Sequence, residues 1–137
     1  NLLNLLFNNV DWPNVGDAAG LQNSAAAGSF YVALHTADPT DAGNQTTSEA
    51  SYTGYARVAV ARTVAGWTVS GNQVSNTATV QFGECTAGSA TVTHFSVGLL
   101  ASGAGDILYS GALSASRAVS AGITPLFNPA TLVGTVD

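Results

Sequence analysis

The chain has 137 residues, a formal net charge of −5 at pH 7 and only 8% charged residues, with three arginines and no lysine. This length predicts one domain, and so few cations exclude DNA, RNA or an anionic membrane as a partner, because each is bound through several Lys or Arg contacts. Since ordinary soluble domains carry about 25% charged residues, the low charge indicates that much of the surface is covered in an assembly.

The first ten residues predict a short amphipathic helix. Apolar side chains recur three and four positions apart, at Leu2, Leu3, Leu6, Phe7 and Val10. The pair Trp12-Pro13 is expected to end this helix, because the residue before a proline is pushed out of the helical region. We therefore predict an N-terminal helix and arm over residues 1–27, followed by a β domain over residues 28–137.

The predicted β domain is a series of short alternating segments separated by Gly-rich turns. The predicted strands cover residues 30–35, 55–62, 67–69, 73–75, 77–82, 90–97, 107–113, 117–120, 123–127 and 131–136, with a tight hairpin turn at 70–72. Turns roughly every 8–12 residues without intervening helices predict an all-β fold. We expect an antiparallel β-sandwich or jelly-roll-like single domain with a short N-terminal helix or arm, and a closed barrel stays open.

Few side chains are placed to carry chemistry. His35 lies near Asp38 and Asp41 in sequence and His94 lies within a predicted strand, so a metal site or a general base can be imagined. No paired-ligand spacing such as H-x-x-x-H, no calcium loop and no nucleophile motif accompanies them. We interpret both histidines as structural and predict no enzyme activity, no catalytic residue, no metal and no cofactor.

Four aromatic residues near loops offer a different kind of site. Trp12, Trp67, Tyr52 and Tyr55 could form a platform on which sugars stack. The structural alternative places Trp67 in the core of the hairpin and makes Trp12 an anchor for the N-terminal helix. We favour the structural alternative.

The chain resembles a family of small tailed-bacteriophage virion proteins whose members are often labelled tail fibre proteins. The segments that carry the resemblance are FYVALHTADPTDAG (30–43), GYARVAV (54–60), the strand at 76–82, THFSVG (93–98), ILYSGAL (107–113) and VSAGI (119–123). The resemblance extends from residue 30 to residue 137. It implies a virion structural protein without catalytic residues, and it does not fix whether that protein belongs to the head or to the tail.

A fibre needs a shaft, and the chain has neither a heptad nor a collagen pattern. We therefore expect a non-enzymatic decoration (cement) protein on the capsid exterior that binds the major capsid protein and copies of itself. The alternatives are a tail-tip module that binds a host receptor or surface glycan, and a tail-tube or baseplate component. The expected assembly contacts are Leu2, Leu5, Leu6, Phe7, Trp12 and the loop 38–52, with Asp38, Asp41 and Tyr52.

Overall fold

A computed structural model of the chain describes residues 1–16 and 19–136. Residues 17, 18 and 137, which belong to the predicted arm and to the end of the predicted β domain, lie outside the described residues. The prediction of an all-β fold with antiparallel sheets and a short N-terminal helix is confirmed. The elements are α1 (Leu2–Asn8), β1 (Ser29–His35), β2 (Val58–Ala61), β3 (Trp67–Ser70), β4 (Gln73–Asn76), β5 (Val80–Gln81), β6 (Ser89–Gly98), β7 (Ile107–Ser120), β8 (Leu126–Phe127) and β9 (Gly134–Thr135).

The chain forms two compact units, each assembled from separate segments. The first comprises the described residues of Asn1–Ser29, Val60–Thr79 and Asn128–Asp137, and the second comprises Phe30–Ala59 and Val80–Phe127. The division predicted between residues 27 and 28 stays a prediction. The two units are described separately below.

The first unit is built on the predicted hairpin. β3 and β4 pair from Trp67 opposite Asn76 to Ser70 opposite Gln73, and β9 adds to β4. The turn contains Gly71 with φ at 60°, a backbone conformation that suits glycine because it lacks a Cβ. Trp67 is 0% exposed and its ring lies 5.0 Å from that of Phe7 in an edge-to-face contact. The apolar face of α1 therefore helps to form the core of this unit.

Helix α1 ends earlier than the sequence predicts. The side chain of Asn1 caps its start by accepting a hydrogen bond from the Asn4 amide at 3.0 Å. Its end is Asn9, which takes the left-handed conformation (φ 54°, ψ 41°), and the Val10 amide then donates to the Asn4 carbonyl. Trp12-Pro13 is therefore not the terminator. Trp12 instead forms an isolated antiparallel bridge with Leu21.

Arg62 closes the carboxyl end of α1. Its guanidinium donates to the carbonyls of Leu5, at 2.9 Å, and Leu6, and also to the carbonyl of Ala27 at 2.9 Å. The last carbonyls of a helix have no partner within the helix and carry a partial negative charge, so a cation is favourable there. One of the three arginines is thus used to hold the helix and the arm.

The second unit contains most of a four-stranded sheet with the order β2-β1-β6-β7. β1 and β6 pair antiparallel, with Tyr31 opposite Gly98 and His35 opposite His94. The ribbon of β5 and β8 contacts this sheet through Phe127, whose ring lies 5.8 Å from that of Phe95 and 6.1 Å from that of Phe82. Aromatic packing therefore forms the core between the ribbon and the sheet.

Several predicted strands differ in extent from the observed ones. The strands predicted at 123–127 and 131–136 are shorter in the structure, as β8 (Leu126–Phe127) and β9 (Gly134–Thr135). β2 lacks residues 55–57, because the side chains of Tyr55 and Arg57 bind Glu49 instead of extending a ladder. β5 is shorter than predicted, since Asn76 donates to the Ala78 carbonyl at 2.8 Å and bends the chain. The two strands predicted at 107–113 and 117–120 both belong to β7, which shifts its register against β6 between them.

We expect Arg62→Met to lower the free energy of unfolding by about 2–3 kcal/mol, because helix carbonyls lose a charged hydrogen-bond donor. The control is Gln73→Met, which alters an exposed polar side chain of the same unit and is expected to change stability by less than about 0.5 kcal/mol. Urea denaturation followed by circular dichroism measures both. Equal losses in the two variants would contradict the role of Arg62.

Candidate assembly surface

The loop that follows β1 is fixed to the sheet by His35. This side chain is 0% exposed. Its Nδ1 lies 2.7 Å from the Thr47 carbonyl oxygen in the loop, and its Nε2 lies 2.8 Å from the Ser96 hydroxyl on β6. A neutral ring that donates from Nδ1 and accepts at Nε2 satisfies both neighbours. The structural interpretation of His35 therefore fits its position, and the residue ties the loop to the strands.

Burial lowers the pKa of His35 below its ordinary value, because the charged ring would lose its hydration. The hydrogen bond to Thr47 and the charge of Glu49 oppose this shift, while Arg57 and His94 add to it. His94 lies opposite on β6 and bonds through Nδ1 to the Thr93 hydroxyl at 2.8 Å. No group of three His, Cys, Asp or Glu side chains within residues 1–16 and 19–136 is close enough to hold a metal ion.

The loop ends at a paired charge. Arg57 binds Glu49 in two places, through Nε to Oε1 at 2.7 Å and through an Nη nitrogen to Oε2 at 2.8 Å. The Tyr55 hydroxyl donates to the same carboxylate at 2.8 Å. Only 3% of the Arg57 side chain and 16% of the Glu49 side chain are exposed. This two-point geometry fixes both planes, and the bond to Glu49 raises the pKa of Arg57.

The same guanidinium reaches the turn between β6 and β7. It donates to the carbonyls of Leu100 at 2.9 Å and Gly103 at 2.8 Å. Gln45, which is 0% exposed, supports the turn from the other side: its backbone N–H donates to the Gly105 carbonyl and its side-chain Oε1 accepts from the Leu100 backbone N–H, both at 2.9 Å. Loop and turn are therefore held together by side chains of the loop and by Arg57.

Glycine is required where Gln45 enters this contact. A Cβ placed on Gly98 would lie 2.3 Å from the Gln45 amide carbon, and one on Gly105 would lie 2.2 Å from its Oε1. Such distances are below any real carbon contact, so only glycine lets the buried amide lie between the two backbones. We call the combination of residues 38–49 and 99–106 the loop–turn surface.

The loop–turn surface presents both acidic and apolar side chains to solvent. Asp38 and Asp41 are exposed on the loop, where the Asp38 carboxylate accepts from the Thr40 amide at 2.9 Å. On the turn, Leu99 and Leu100 are 42% and 48% exposed. Sequence reasoning missed these leucines. The available signal was an apolar pair standing directly before a Gly-rich turn, where the strand's alternation has already ended.

The other expected contact residues divide by burial. On α1, Leu2 is 38% exposed and Leu5 and Leu6 are half-buried, whereas Phe7 is 2% exposed and belongs to the core of the first unit. Trp12 is half-buried. These residues lie in the first unit, so the structure does not join them with Asp38 and Asp41 into one described site.

The aromatic platform considered from sequence is not available as proposed. Trp67 is 0% exposed against Phe7, and Tyr52 is 4% exposed with its hydroxyl donating to the Gly83 carbonyl at 3.0 Å. Tyr55 stacks on Phe82 with ring centres 6.1 Å apart. Stacking on a sugar needs an open ring face, which Trp67 and Tyr52 lack. Burial also raises the pKa of Tyr52.

Together, the antiparallel all-β fold and the loop held by His35 and Arg57 are typical of a protein that makes structural contacts. The chain belongs to the family described as Podophage GP4 fiber I protein gp80, whose model matches residues 1–135. The resemblance to phage virion proteins is thereby confirmed, and the chain is a bacteriophage virion structural protein. No curated protein matches the chain. Among the described residues, no helix is both long enough and apolar enough to span a membrane.

Breaking the brace, which is the ion pair of Arg57 with Glu49 and the bonds of Arg57 to the turn, should make the turn at residues 99–106 more mobile. We expect Arg57→Met to lower the free energy of unfolding by about 3 kcal/mol, because Glu49 is left largely buried without its counter-charge. Amide hydrogen exchange should accelerate in residues 99–106 and around Glu49. The hairpin of β3 and β4 provides an internal reference. Unchanged exchange in the turn would show that Arg57 does not hold it.

Protonation of His35 should weaken the fold in acid. Because the pKa of His35 is lower in the folded chain than in the unfolded chain, the unfolded chain binds more protons as the pH falls below about 6.5. The free energy of unfolding should therefore be highest above this pH and fall as the pH drops through the folded pKa. Urea denaturation between pH 7.5 and about 5 measures the slope.

The control for this experiment is a matched pair of variants. His35→Gln should lose part of the slope between these pH values, and His94→Gln, which leaves His35 in place, should keep it. A slope that survives His35→Gln would assign the pH dependence to other groups.

Proposed function

We propose that this virion protein is a non-enzymatic structural module of a fibre, held in place by protein–protein contacts at its loop–turn surface. The observation that carries the proposal is the bracing of that surface. One of only three arginines, its carboxylate partner and a buried glutamine hold a turn that presents two leucines to solvent. A rigid backbone loses little entropy on binding, so exposed apolar side chains on it are suited to a permanent contact.

The family description supports the fibre assignment. The matched family is described as a fibre protein of a podophage, and the match covers residues 1–135. The partners we propose are other virion proteins and further copies of the chain. The net charge of −5 argues against nucleic acid and against an anionic membrane as partners.

Capsid decoration is the second candidate, and the low charge favours it. A cement protein acts through many small contacts repeated over a lattice, and each contact adds to the stability of the shell. An 8% charged chain without a heptad or collagen shaft suits such a covered position. In this candidate the partner is the major capsid protein on the outer surface of the head.

The absence of enzyme activity is part of the proposal. Two titratable side chains of the second unit, His35 and Glu49, are occupied in structural bonds: His35 with Thr47 and Ser96, and Glu49 with Arg57. Ser96 is 0% exposed, so the Ser96–His35 hydrogen bond does not present a nucleophile to solvent. These bonds explain the side chains without invoking a reaction.

Electron cryomicroscopy of intact particles tests the location. A fibre module is expected as a few copies at the tail, whereas a decoration protein is expected as hundreds of copies over the head. Density at the tail alone would reject decoration, and density over the head alone would reject the fibre assignment.

A pair of variants tests the surface. We expect Leu99→Ser with Leu100→Ser to reduce incorporation into particles severalfold, because the apolar contact is lost while the brace is kept. The control double variant, Val64→Ser with Val133→Ser, alters side chains that are 73% and 45% exposed elsewhere and should leave incorporation unchanged. Quantitative immunoblotting of purified particles gives the amount of each variant per particle relative to the wild-type chain. Equal incorporation of both variants would reject the loop–turn surface as the attachment site.

A further inference from the structure

β7 is an open edge of the four-stranded sheet. It stands last in the order β2-β1-β6-β7, and within the part of the chain that the structure describes no strand pairs with its outer side. With 14 residues it is longer than β6, which has 10, and far longer than the opposite edge strand β2, which has 4. An open edge presents unpaired amides and carbonyls that can accept another strand.

The middle of β7 has few cross-strand partners within its own chain. Arg117 pairs with Val92 and Ala112 pairs with His94, so residues 113–116 stand opposite Thr93 alone. Five successive residues, 114–118, are exposed, and therefore both faces of the strand are open there. Strands are stabilised by cross-strand neighbours and by packing on a face, and this segment has little of either within the chain.

β7 also lacks the usual protection of a strand edge. Monomeric β proteins guard long edges with lysine, proline or inward charges. Between Ile107 and Ser120 there is no lysine, proline, aspartate or glutamate, and Arg117 is the single charged residue. The edge is irregular at two places, residues 113–116 and Leu108, where β7 shifts its register against β6.

We propose that β7 is an interface between two copies of this chain, in which the two β7 strands pair antiparallel across a two-fold axis. The charge pattern selects the second copy as the occupant. Asp106 is exposed directly before β7 and Arg117 is exposed near its end. Antiparallel pairing lays the start of one strand beside the end of the other, so each copy's Asp106 comes near the other's Arg117 and the symmetry makes two opposite-charge pairs.

Other ways of pairing β7 with a second copy are less favourable than the antiparallel pairing of two β7 strands. A parallel pairing in register would set Arg117 beside Arg117 and Asp106 beside Asp106, and like charges across a ladder are destabilising. The other edge strand of this sheet, β2, offers only four residues to pair with. The small side chains of Ser110, Ala112, Ser114 and Ala115 let two backbones approach without steric conflict. The self-complementary charges and the length of the edge both point to β7 of a second copy.

This inference deepens the proposed structural function, because it names a partner and the strand that binds it. The two proposals can be rejected independently of each other. Particle imaging reads the location of the protein, whereas the pairing of β7 is read from self-association of the purified full chain.

The test uses charge reversal at both ends of the strand. Sedimentation velocity of the wild-type chain should show a dimer. Arg117→Glu and Asp106→Lys should each weaken self-association by about tenfold or more in Kd, because each sets two like-charge contacts in the homodimer. An equimolar mixture of the two variants should recover the dimer, since every contact is then between opposite charges.

A second pair of variants, each adding one lysine, tests whether the edge of β7 is the surface that pairs. Ala115→Lys places a charge on the open edge and should abolish the dimer, whereas Ala101→Lys adds the same charge on the exposed turn and should not. Circular dichroism confirms that each variant is folded. A wild-type chain that stays monomeric up to about 1 mM, or a dimer that Ala115→Lys leaves intact, overturns the proposal. Association of the two single variants as strong as in wild type, with no gain on mixing, overturns the antiparallel arrangement.

Discussion

The Arg57–Glu49 ion pair is the interaction on which the second unit depends most. Its removal from water costs several kcal/mol per charge, and attraction offsets this only when the geometry is good and the remaining donors are satisfied. Here the pair is bonded at two points, and Arg57 uses its other donors on Leu100 and Gly103. The ion pair therefore does more than join two residues, since Arg57 also holds the turn through two of its carbonyls.

The first unit repeats this use of a cation. Arg62 binds carbonyls of α1 and of the arm, so that a helix of seven residues has a defined end. Isolated helices of this length are unstable in water, and α1 relies on packing against Trp67 and on this donor. In a chain with three arginines, two are committed to backbone carbonyls within the fold. That leaves Arg117 as the exposed cation on the surface.

Local patterns predicted the elements that depend on local physics. The strand at 30–35, the hairpin around Gly71 and the strand at 90–97 follow from alternation and turn chemistry, and the structure has them as β1, the β3–β4 hairpin and β6. Errors arose where a distant side chain or the backbone conformation of one residue decides the extent of an element. The loss of strand at residues 55–57 requires Glu49, and the end of α1 requires the left-handed conformation of Asn9. Neither feature leaves a periodic signal in the sequence.

The candidate surface was predictable only in part, for the same reason. The loop from Asp38 was visible as a long polar segment, and its exposed acids are where the sequence placed them. Its partner, the turn at 99–106, was not among the expected contact residues. Its importance comes from Gln45 and Arg57, which reach it across more than forty positions of sequence. Fixed side-chain contacts of this kind are specified by three-dimensional complementarity, so they appear only when the fold is known.

A protein with little charge meets the solvent mainly through small polar and apolar groups, and this has consequences for how it assembles. Coulomb steering between copies is weak and repulsion is modest, so specificity has to come from backbone complementarity and from a few well-placed charges. The open edge of β7 supplies backbone groups, and Asp106 and Arg117 supply one charge of each sign at its two ends. The loop–turn surface supplies apolar contact on a rigid backbone. The two surfaces use different physics, because the β7 edge offers backbone groups for a hydrogen-bonded ladder and the loop–turn surface offers leucines for an apolar contact, and the two meet at Asp106.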